Sequence, residues 1–210
     1  RLGANAPAEL APAPSINDAS KVAFVARNTA GTQANGRVML LNNKGVIEED
    51  CPVGALASAS NAVQVNNNDQ VIFRMYSNDG FFSDVVRIDN NCSGPIIGRG
   101  SVSASFPQPF NVVLPSPTLN AAGRGVFSAD IGSNTMLGSR PDGTGSYNVS
   151  PFLTGFPNLF PMIADNDTTV VRWGGSATSP LLRFIDTAST FNTANFIADA
   201  TNQNRRLRCV

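Results

Sequence analysis

The chain of 210 residues carries 15 basic and 15 acidic side chains and contains no histidine. A chain of this length fits one domain or two small ones, and its balanced charge lacks the basic footprint of a nucleic-acid-binding protein. The missing histidine excludes Ser-His and Cys-His nucleophiles and histidine-ligated metals. No apolar run approaches the roughly 20 residues that span a bilayer, so we expect no membrane insertion.

The first 13 residues, RLGANAPAELAPA, are rich in alanine and proline. Proline lacks the N–H that a strand donates to its neighbour, and Pro7, Pro12 and Pro14 therefore favour a flexible leader over 1–13. The alternative is a strand that completes the last repeat. The chain does not begin with methionine, which suggests that Arg1 follows a removed signal peptide. We therefore expect an extracellular or cell-surface location.

One phrase recurs four times from residue 14 onward: an apolar residue, an Asn/Asp-rich quartet, and a β-branched or aromatic run. The quartet is typical of a β-turn, because Asn and Asp cap turns with their side chains. Gly123 supplies a flexible fourth turn position in the third copy. The copies are PSINDASKVAF (14–24), VQVNNNDQVIF (63–73), PTLNAAGRGVF (117–127) and PMIADNDTTVV (161–171).

Each copy is followed by further short apolar runs that end at turn residues, and no segment has a sustained helical period. The pattern predicts an all-β chain. Hairpin units of about 50 residues favour a β-propeller-like array of four blades, with a β-sandwich or a linear stack of β-repeats as alternatives. We expect Phe24, Phe73 and Phe127 in the core. The predicted single repeat domain covers 14–210, with repeats at about 14–62, 63–116, 117–160 and 161–210.

The repeated phrase resembles the tandem repeat of bacterial secreted or surface proteins named for an NxxGxxAF core. The first copy has Asn17, Ala23 and Phe24 but Ser20 in place of glycine, and the third has Asn120, Gly123 and Phe127. The second copy keeps Asn66 and Phe73, whereas the fourth has Ala164 and Val171 instead. The resemblance implies a propeller-like surface protein, and it implies no catalytic residues.

The acidic turns are also candidates for Ca²⁺ binding, since calcium takes oxygen ligands. The candidate ligands are Asn66 and Asp69 in the second copy and Asp165 and Asp167 in the fourth. Neither turn has the spacing or the glycine of an EF-hand loop, so a plain β-turn is the favoured interpretation. No other cofactor is expected.

Three aromatic residues, Tyr76, Tyr147 and Trp173, are candidates for a platform on which a sugar ring stacks. Trp173 precedes a Gly-Gly pair where a strand would meet a loop. The alternative role for such residues is packing in the core, where most large aromatic side chains are found.

The three cysteines are Cys51, Cys92 and Cys209. Cys51 and Cys92 close predicted strands in neighbouring repeats, which favours a disulfide between them. Cys209 is then left over, and an odd cysteine in a secreted chain indicates an intermolecular disulfide or a free thiol. Burial of Cys209 as a small apolar residue is the alternative.

These patterns favour a non-enzymatic protein with a structural or adhesive role, associating with itself or with surface or matrix components. A lectin-like module that binds glycans is the first alternative. The second is a hydrolase that uses aspartates from different repeats, although no nucleophile motif supports it.

Overall fold

The computed structural model describes residues 9–11, 13–27, 36–53, 57–77, 81–89, 91–101, 110–132, 134–140, 146–150, 153–154, 161–172, 181–186 and 191–198. These residues form β-strands, turns and loops, which confirms the all-β class predicted from the sequence. No helix within these ranges is long and apolar enough to cross a membrane. The strands form four separate antiparallel sheets, which follow one another along the chain.

Sheet 1 begins with two short strands that both pair with the third, after which the strands pair in chain order. Its members are β1 (Glu9–Leu10), β2 (Ser15–Ile16), β3 (Val22–Arg27), β4 (Gly36–Leu41) and β5 (Ile47–Pro52). Sheet 2 has four strands in chain order. They are β6 (Ala57–Val65), β7 (Val71–Ser77), β8 (Phe82–Ile88) and β9 (Ile96–Ser101).

Sheet 3 repeats this plan, with its first and last strands each divided in two. It contains β10 (Val112–Val113), β11 (Thr118–Leu119), β12 (Gly125–Ile131), β13 (Asn134–Ser139), β14 (Asn148–Val149) and β15 (Leu153–Thr154). Sheet 4 again has four strands in chain order. They are β16 (Pro161–Ile163), β17 (Thr168–Arg172), β18 (Leu181–Asp186) and β19 (Phe191–Ala198).

Neighbouring sheets pack face to face, because their strands alternate side chains between two faces and both faces are apolar. Val25 and Leu40 of sheet 1 share one core with Val65 and Phe73 of sheet 2. Ile72 and Val85, on the other face of sheet 2, share a second core with sheet 3. At the next junction, β11 and β12 of sheet 3 contact β16 of sheet 4. Sheet 2 is therefore covered on both faces, and sheet 3 contacts both of its neighbours.

The second core is built around Phe127, whose side chain is fully buried. Its ring lies between two glycines: a Cβ added to Gly98 of sheet 2, or to Gly138 of sheet 3, would come within 2.8 Å or 2.6 Å of ring carbons. Phe110 meets the ring edge-on at a centroid distance of 5.5 Å. The two glycines thus make room for one large aromatic ring between the sheets. Phe24 and Phe73 are buried as well, so all three phenylalanines lie in the core as expected.

The sheets do not establish the closed propeller that the repeat length favours. Within the described ranges the four sheets are separate and none closes on itself. Face-to-face packing of antiparallel sheets is also compatible with the β-sandwich alternative. The described residues therefore form four small antiparallel sheets, each in contact with the next along the chain.

Residues 9–11 differ from the flexible leader that the sequence predicts over 1–13. Glu9 and Leu10 pair with Arg27 and Ala26 of sheet 1, and Ala11 is buried in the first core. The prolines do not prevent this pairing, because they lie outside the two residues that form β1. The strand belongs to the first sheet, not to the last repeat. The predicted repeat boundary at 62/63 also falls inside β6.

A disulfide joins Cys51 in β5 to Cys92 in the turn after β8. It links sheet 1 to sheet 2, which share the first core. Disulfides persist in oxidising compartments, so this bond is compatible with the expected extracellular location. Cys209 lies outside the described residues.

Candidate functional site

The four recurring quartets form the same turn. The turns connect β2 to β3, β6 to β7, β11 to β12 and β16 to β17. In each, the fourth residue donates its backbone N–H to the carbonyl oxygen of the first. The fourth residue also has a left-handed backbone, with φ from 60° to 82°, at Ser20, Asp69, Gly123 and Asp167. A type I turn followed by a left-handed residue suits an antiparallel hairpin. Ser20, Asp69 and Asp167 therefore adopt a left-handed backbone at the position where the NxxGxxAF repeat has glycine.

The first residue of three of these turns is a buried asparagine that caps its own turn. The Oδ1 atom accepts a hydrogen bond from the backbone N–H four residues later. The distances are 2.9 Å for Asn17 with Lys21, 3.0 Å for Asn66 with Gln70 and 2.9 Å for Asn120 with Arg124. This bond is local, and it explains why asparagine suits the position.

The same asparagines connect one turn to the next. Nδ2 of Asn17 donates to the carbonyl oxygen of Asn66 at 3.0 Å, and Nδ2 of Asn66 donates to that of Asn120 at 2.9 Å. Nδ2 of Asn120 then approaches the carbonyl oxygen of Ala164 at 3.4 Å. We call this series, Asn17, Asn66, Asn120 and Ala164, the turn ladder. Alanine has no amide to donate, so the series of side-chain amides ends at the fourth turn.

Ion pairs between described residues reinforce two of the three junctions. Lys21 forms ion pairs with Asp69 at 2.6 Å and with Glu48 at 2.7 Å, and Arg124 pairs with Asp167 at 3.2 Å. Hydrogen bonds to Asp69 and Glu48 raise the pKa of Lys21. Because these groups are partly exposed, each pair adds little to stability by itself.

The junction between sheets 2 and 3 uses close packing instead of an ion pair. Gln70 and Gly123 occupy the positions held by charged residues at the other two junctions. A Cβ at Gly123 would lie 2.5 Å from Oε1 of Gln70, so a larger residue there would require the Gln70 amide to shift. Gln70 in turn donates to Asp89 at 2.8 Å.

The proposed calcium ligands lie in the second and fourth of these turns, and protein donors already contact their oxygens. The Asp69 carboxylate accepts from Lys21 and Asn17, and that of Asp167 accepts from Asn120. Asp165 accepts from the backbone N–H of Ala121 at 2.8 Å, and Asn66 Oδ1 caps its turn. A bound cation would have to displace these donors, and the four on the aspartates all come from the preceding repeat.

A pocket lies at the opposite end of sheet 2 from the turn ladder. Its volume is about 310 Å³, which is at the lower end of the range for ligand sites. The C-terminal end of β7, the N-terminal end of β8 and one residue of β9 line the pocket. The lining residues are Met75, Tyr76, Ser77, Phe82, Asp84 and Arg99.

The polar part of the pocket is an ion pair between neighbouring strands. Asp84 and Arg99 occupy paired positions of β8 and β9, so their side chains leave the same face of the sheet. Nε and Nη2 of Arg99 donate to the two carboxylate oxygens at 2.9 Å and 2.8 Å. The hydrogen bond with Asp84 raises the pKa of Arg99. The Asp84 side chain is 8% exposed and that of Arg99 is 39% exposed.

Of the three predicted aromatic ligand residues, the structure describes two and places them in different surroundings. Tyr76 lines the pocket, and the guanidinium of Arg74, which is not a lining residue, lies 5.2 Å from the Tyr76 ring centroid. Burial lowers the pKa of Arg74. Tyr147 packs against the second core instead, edge-on to Phe110 at 5.0 Å. Trp173 lies outside the described residues, so no common platform is assigned.

Sequence reasoning missed Phe82, Asp84 and Arg99, because none of them belongs to a recognisable motif. The only available signal was the pairing of the strands SDVVRID and IIGRGS, which would bring Asp84 beside Arg99. One cluster of three potential metal ligands occurs within the described ranges, namely Glu49, Cys51 and Cys92. The disulfide joins its two sulfurs, so the cluster offers no thiolate.

Comparisons with known proteins give a structural neighbour but no family. No protein-family model matched the chain, and no curated protein matched it, so the resemblance to the NxxGxxAF repeat stays a prediction. Among solved structures, the crystal structure of the polysaccharide lyase Uly1 is similar with 9% sequence identity and a TM-score of 0.49. The match covers 88% of this chain and 49% of the lyase. The chain thus spans about half the length of that protein.

Proposed function

We propose that this chain is a non-enzymatic, extracellular β-repeat protein with a structural or adhesive role, acting in an assembly with itself or with surface or matrix components. The turn ladder carries the proposal. At three successive junctions, one buried asparagine both shapes its own turn and bonds the next repeat. Such side chains serve to hold repeats in fixed order, as nearest-neighbour interfaces do in repeat proteins.

Two further features support this role. The disulfide gives the first junction a covalent link, which suits an oxidising exterior. The carboxylates in the acidic turns are engaged by Lys21, Arg124 and backbone donors, as expected for groups that hold repeats together. Cys209 would be available for a link between chains under this proposal.

The native mass of the purified protein, measured by light scattering with and without reductant, tests the assembly. We expect oligomers, or retention of the protein on cell-surface or matrix fractions. A strictly monomeric 22 kDa chain that is retained on neither fraction would contradict the proposal. Hydrolysis of a polysaccharide or ester substrate by the pure protein would favour the Asp-based alternative instead.

The ladder itself can be tested with Asn66→Asp. Aspartate keeps the Oδ1 acceptor that caps the turn but replaces the amide donor, so a second oxygen faces the carbonyl of Asn120. Because a buried hydrogen bond is lost and the new carboxylate oxygen is buried against a carbonyl oxygen, we expect the free energy of unfolding to fall by about 2 kcal/mol. Urea-induced unfolding followed by circular dichroism measures this change.

Asn42→Asp is the matched control. Asn42 begins a turn of the same form between β4 and β5, and its Oδ1 accepts from the backbone N–H of Lys44 and of Val46 at 3.0 Å each. Its turn is exposed and lies within one sheet, so aspartate should change stability by less than about 0.5 kcal/mol. Equal effects of the two substitutions would show that the amide of Asn66 does not connect the repeats.

A further inference from the structure

We propose that the pocket at the end of sheet 2 binds a neutral, hydroxyl-rich ligand of the carbohydrate class. The pocket is the concave space formed by Met75, Tyr76, Ser77, Phe82, Asp84 and Arg99. This binding site is separate from the turn ladder, and it does not depend on the structural role proposed above.

The charge of the pocket selects against ionic ligands. Arg99 and Asp84 bind each other through two hydrogen bonds, so their charges compensate. An anionic ligand would have to compete with Asp84 for Arg99, and a cationic one would have to compete with Arg99 for Asp84. A neutral ligand avoids both costs, because it can bind the pair without separating it.

The hydrogen-bonding capacity of this pair fits hydroxyl groups. The two bonds use two of the five N–H groups of arginine, and each carboxylate oxygen keeps a further lone pair. A hydroxyl group donates and accepts at once, so adjacent hydroxyls can donate to Asp84 while accepting from Arg99. The hydrogen bonds to Asp84 also fix the orientation of the Arg99 guanidinium before a ligand binds. This lowers the entropy cost of binding.

The remaining lining suits the other surface of a sugar ring. Met75 and Phe82 are partly buried and place apolar atoms beside the ion pair. Pyranose rings carry hydroxyls at their edges and C–H groups on their faces, so one ring can pack on these side chains while its edge meets Asp84 and Arg99. Small-molecule sites commonly combine a mainly apolar lining with a few placed polar groups.

Titration of isotope-labelled full-length protein with single oligosaccharides tests the assignment. The probes are cellohexaose, maltohexaose, mannohexaose and galactohexaose, with oligogalacturonate and oligoalginate as acidic counterparts. We expect at least one neutral probe to shift the amide resonances of residues 75–77, 82–84 and 99, with weaker or no effect from the uronates. Absence of shifts with all neutral probes at millimolar concentration would overturn the proposal, and so would binding of uronates alone.

Two variants locate the site, and a third serves as the control. Phe82→Ala removes apolar surface and Arg99→Lys removes the two-point pair, and each should weaken binding of the neutral probe about tenfold or more. Asp50→Asn removes a similar ion pair, with Arg37 in sheet 1, and should leave the affinity unchanged. Thermal melting establishes that each variant is folded. Unchanged affinity in folded Phe82→Ala and Arg99→Lys would overturn the assignment, as would shifts confined to other sheets in the wild type.

Discussion

Replacing Phe127 with alanine should lower the free energy of unfolding by about 3–5 kcal/mol, the usual cost of removing a buried phenylalanine ring. The ring is fully buried between sheets 2 and 3. On either side stand Gly98 and Gly138, which have no side chain to move into the space. The cavity should therefore stay open, which places the expected loss toward the upper end of that range.

Urea-induced unfolding of wild type and variant measures this loss. Phe81→Ala is the control, because Phe81 is 50% exposed and its truncation should cost about 1 kcal/mol or less. Phe127→Leu refills part of the space and should recover part of the stability. A loss at Phe127→Ala no greater than that at Phe81→Ala would mean that the ring does not hold the two sheets together.

Position 127 also shows which features of the core could be predicted from the sequence. The recurring phrase placed a large apolar residue seven positions after the start of each turn, and in the first three copies the structure buries that phenylalanine. The phrase could not reveal Gly98 as the partner of Phe127. That contact depends on how β9 of one sheet packs on β12 of the next, and no local pattern encodes such packing.

The turns show the same limit at the candidate sites. Asn and Asp preferences predicted where the chain reverses, because turn capping involves only neighbouring residues. The second bond of Asn66, to the carbonyl of Asn120, joins residues 54 positions apart and requires both turns to be placed side by side. Asp84 and Arg99 in the pocket likewise meet only through strand pairing. The positions of the turns could therefore be predicted from the sequence, whereas contacts between strands and between sheets could not.

Removing the disulfide with Cys51→Ala and Cys92→Ala together should lower the free energy of unfolding by about 4 kcal/mol. The estimate follows from the sequence separation of 41 residues, because a cross-link of this span restricts the unfolded chain. Unfolding of the double variant in urea, compared with wild type under non-reducing conditions, measures the loss. Reductant should destabilise the wild type similarly and leave the double variant unchanged.

Cys209→Ser separates this effect from any link between chains. In that variant the Cys51–Cys92 bond is intact, so its stability should match that of the wild type and fall with reductant to the same extent. Thiol titration shows whether all three cysteines of the wild type are reduced. Reduced wild type that is as stable as the oxidised protein would contradict the prediction.

The disulfide and the turn ladder should also interact at one junction only. Cys51–Cys92 and the bond from Asn17 to Asn66 both join sheet 1 to sheet 2, whereas the bond from Asn66 to Asn120 joins sheet 2 to sheet 3. Groups that share an interface are coupled, and groups at separate interfaces add independently. Asn17→Asp should therefore cost more in the double cysteine variant than in the wild type, because the covalent link otherwise keeps the first junction in register. Asn66→Asp should cost the same in both backgrounds, and a double-mutant cycle that shows equal coupling at the two positions would mean that the sheets do not behave as separate neighbours.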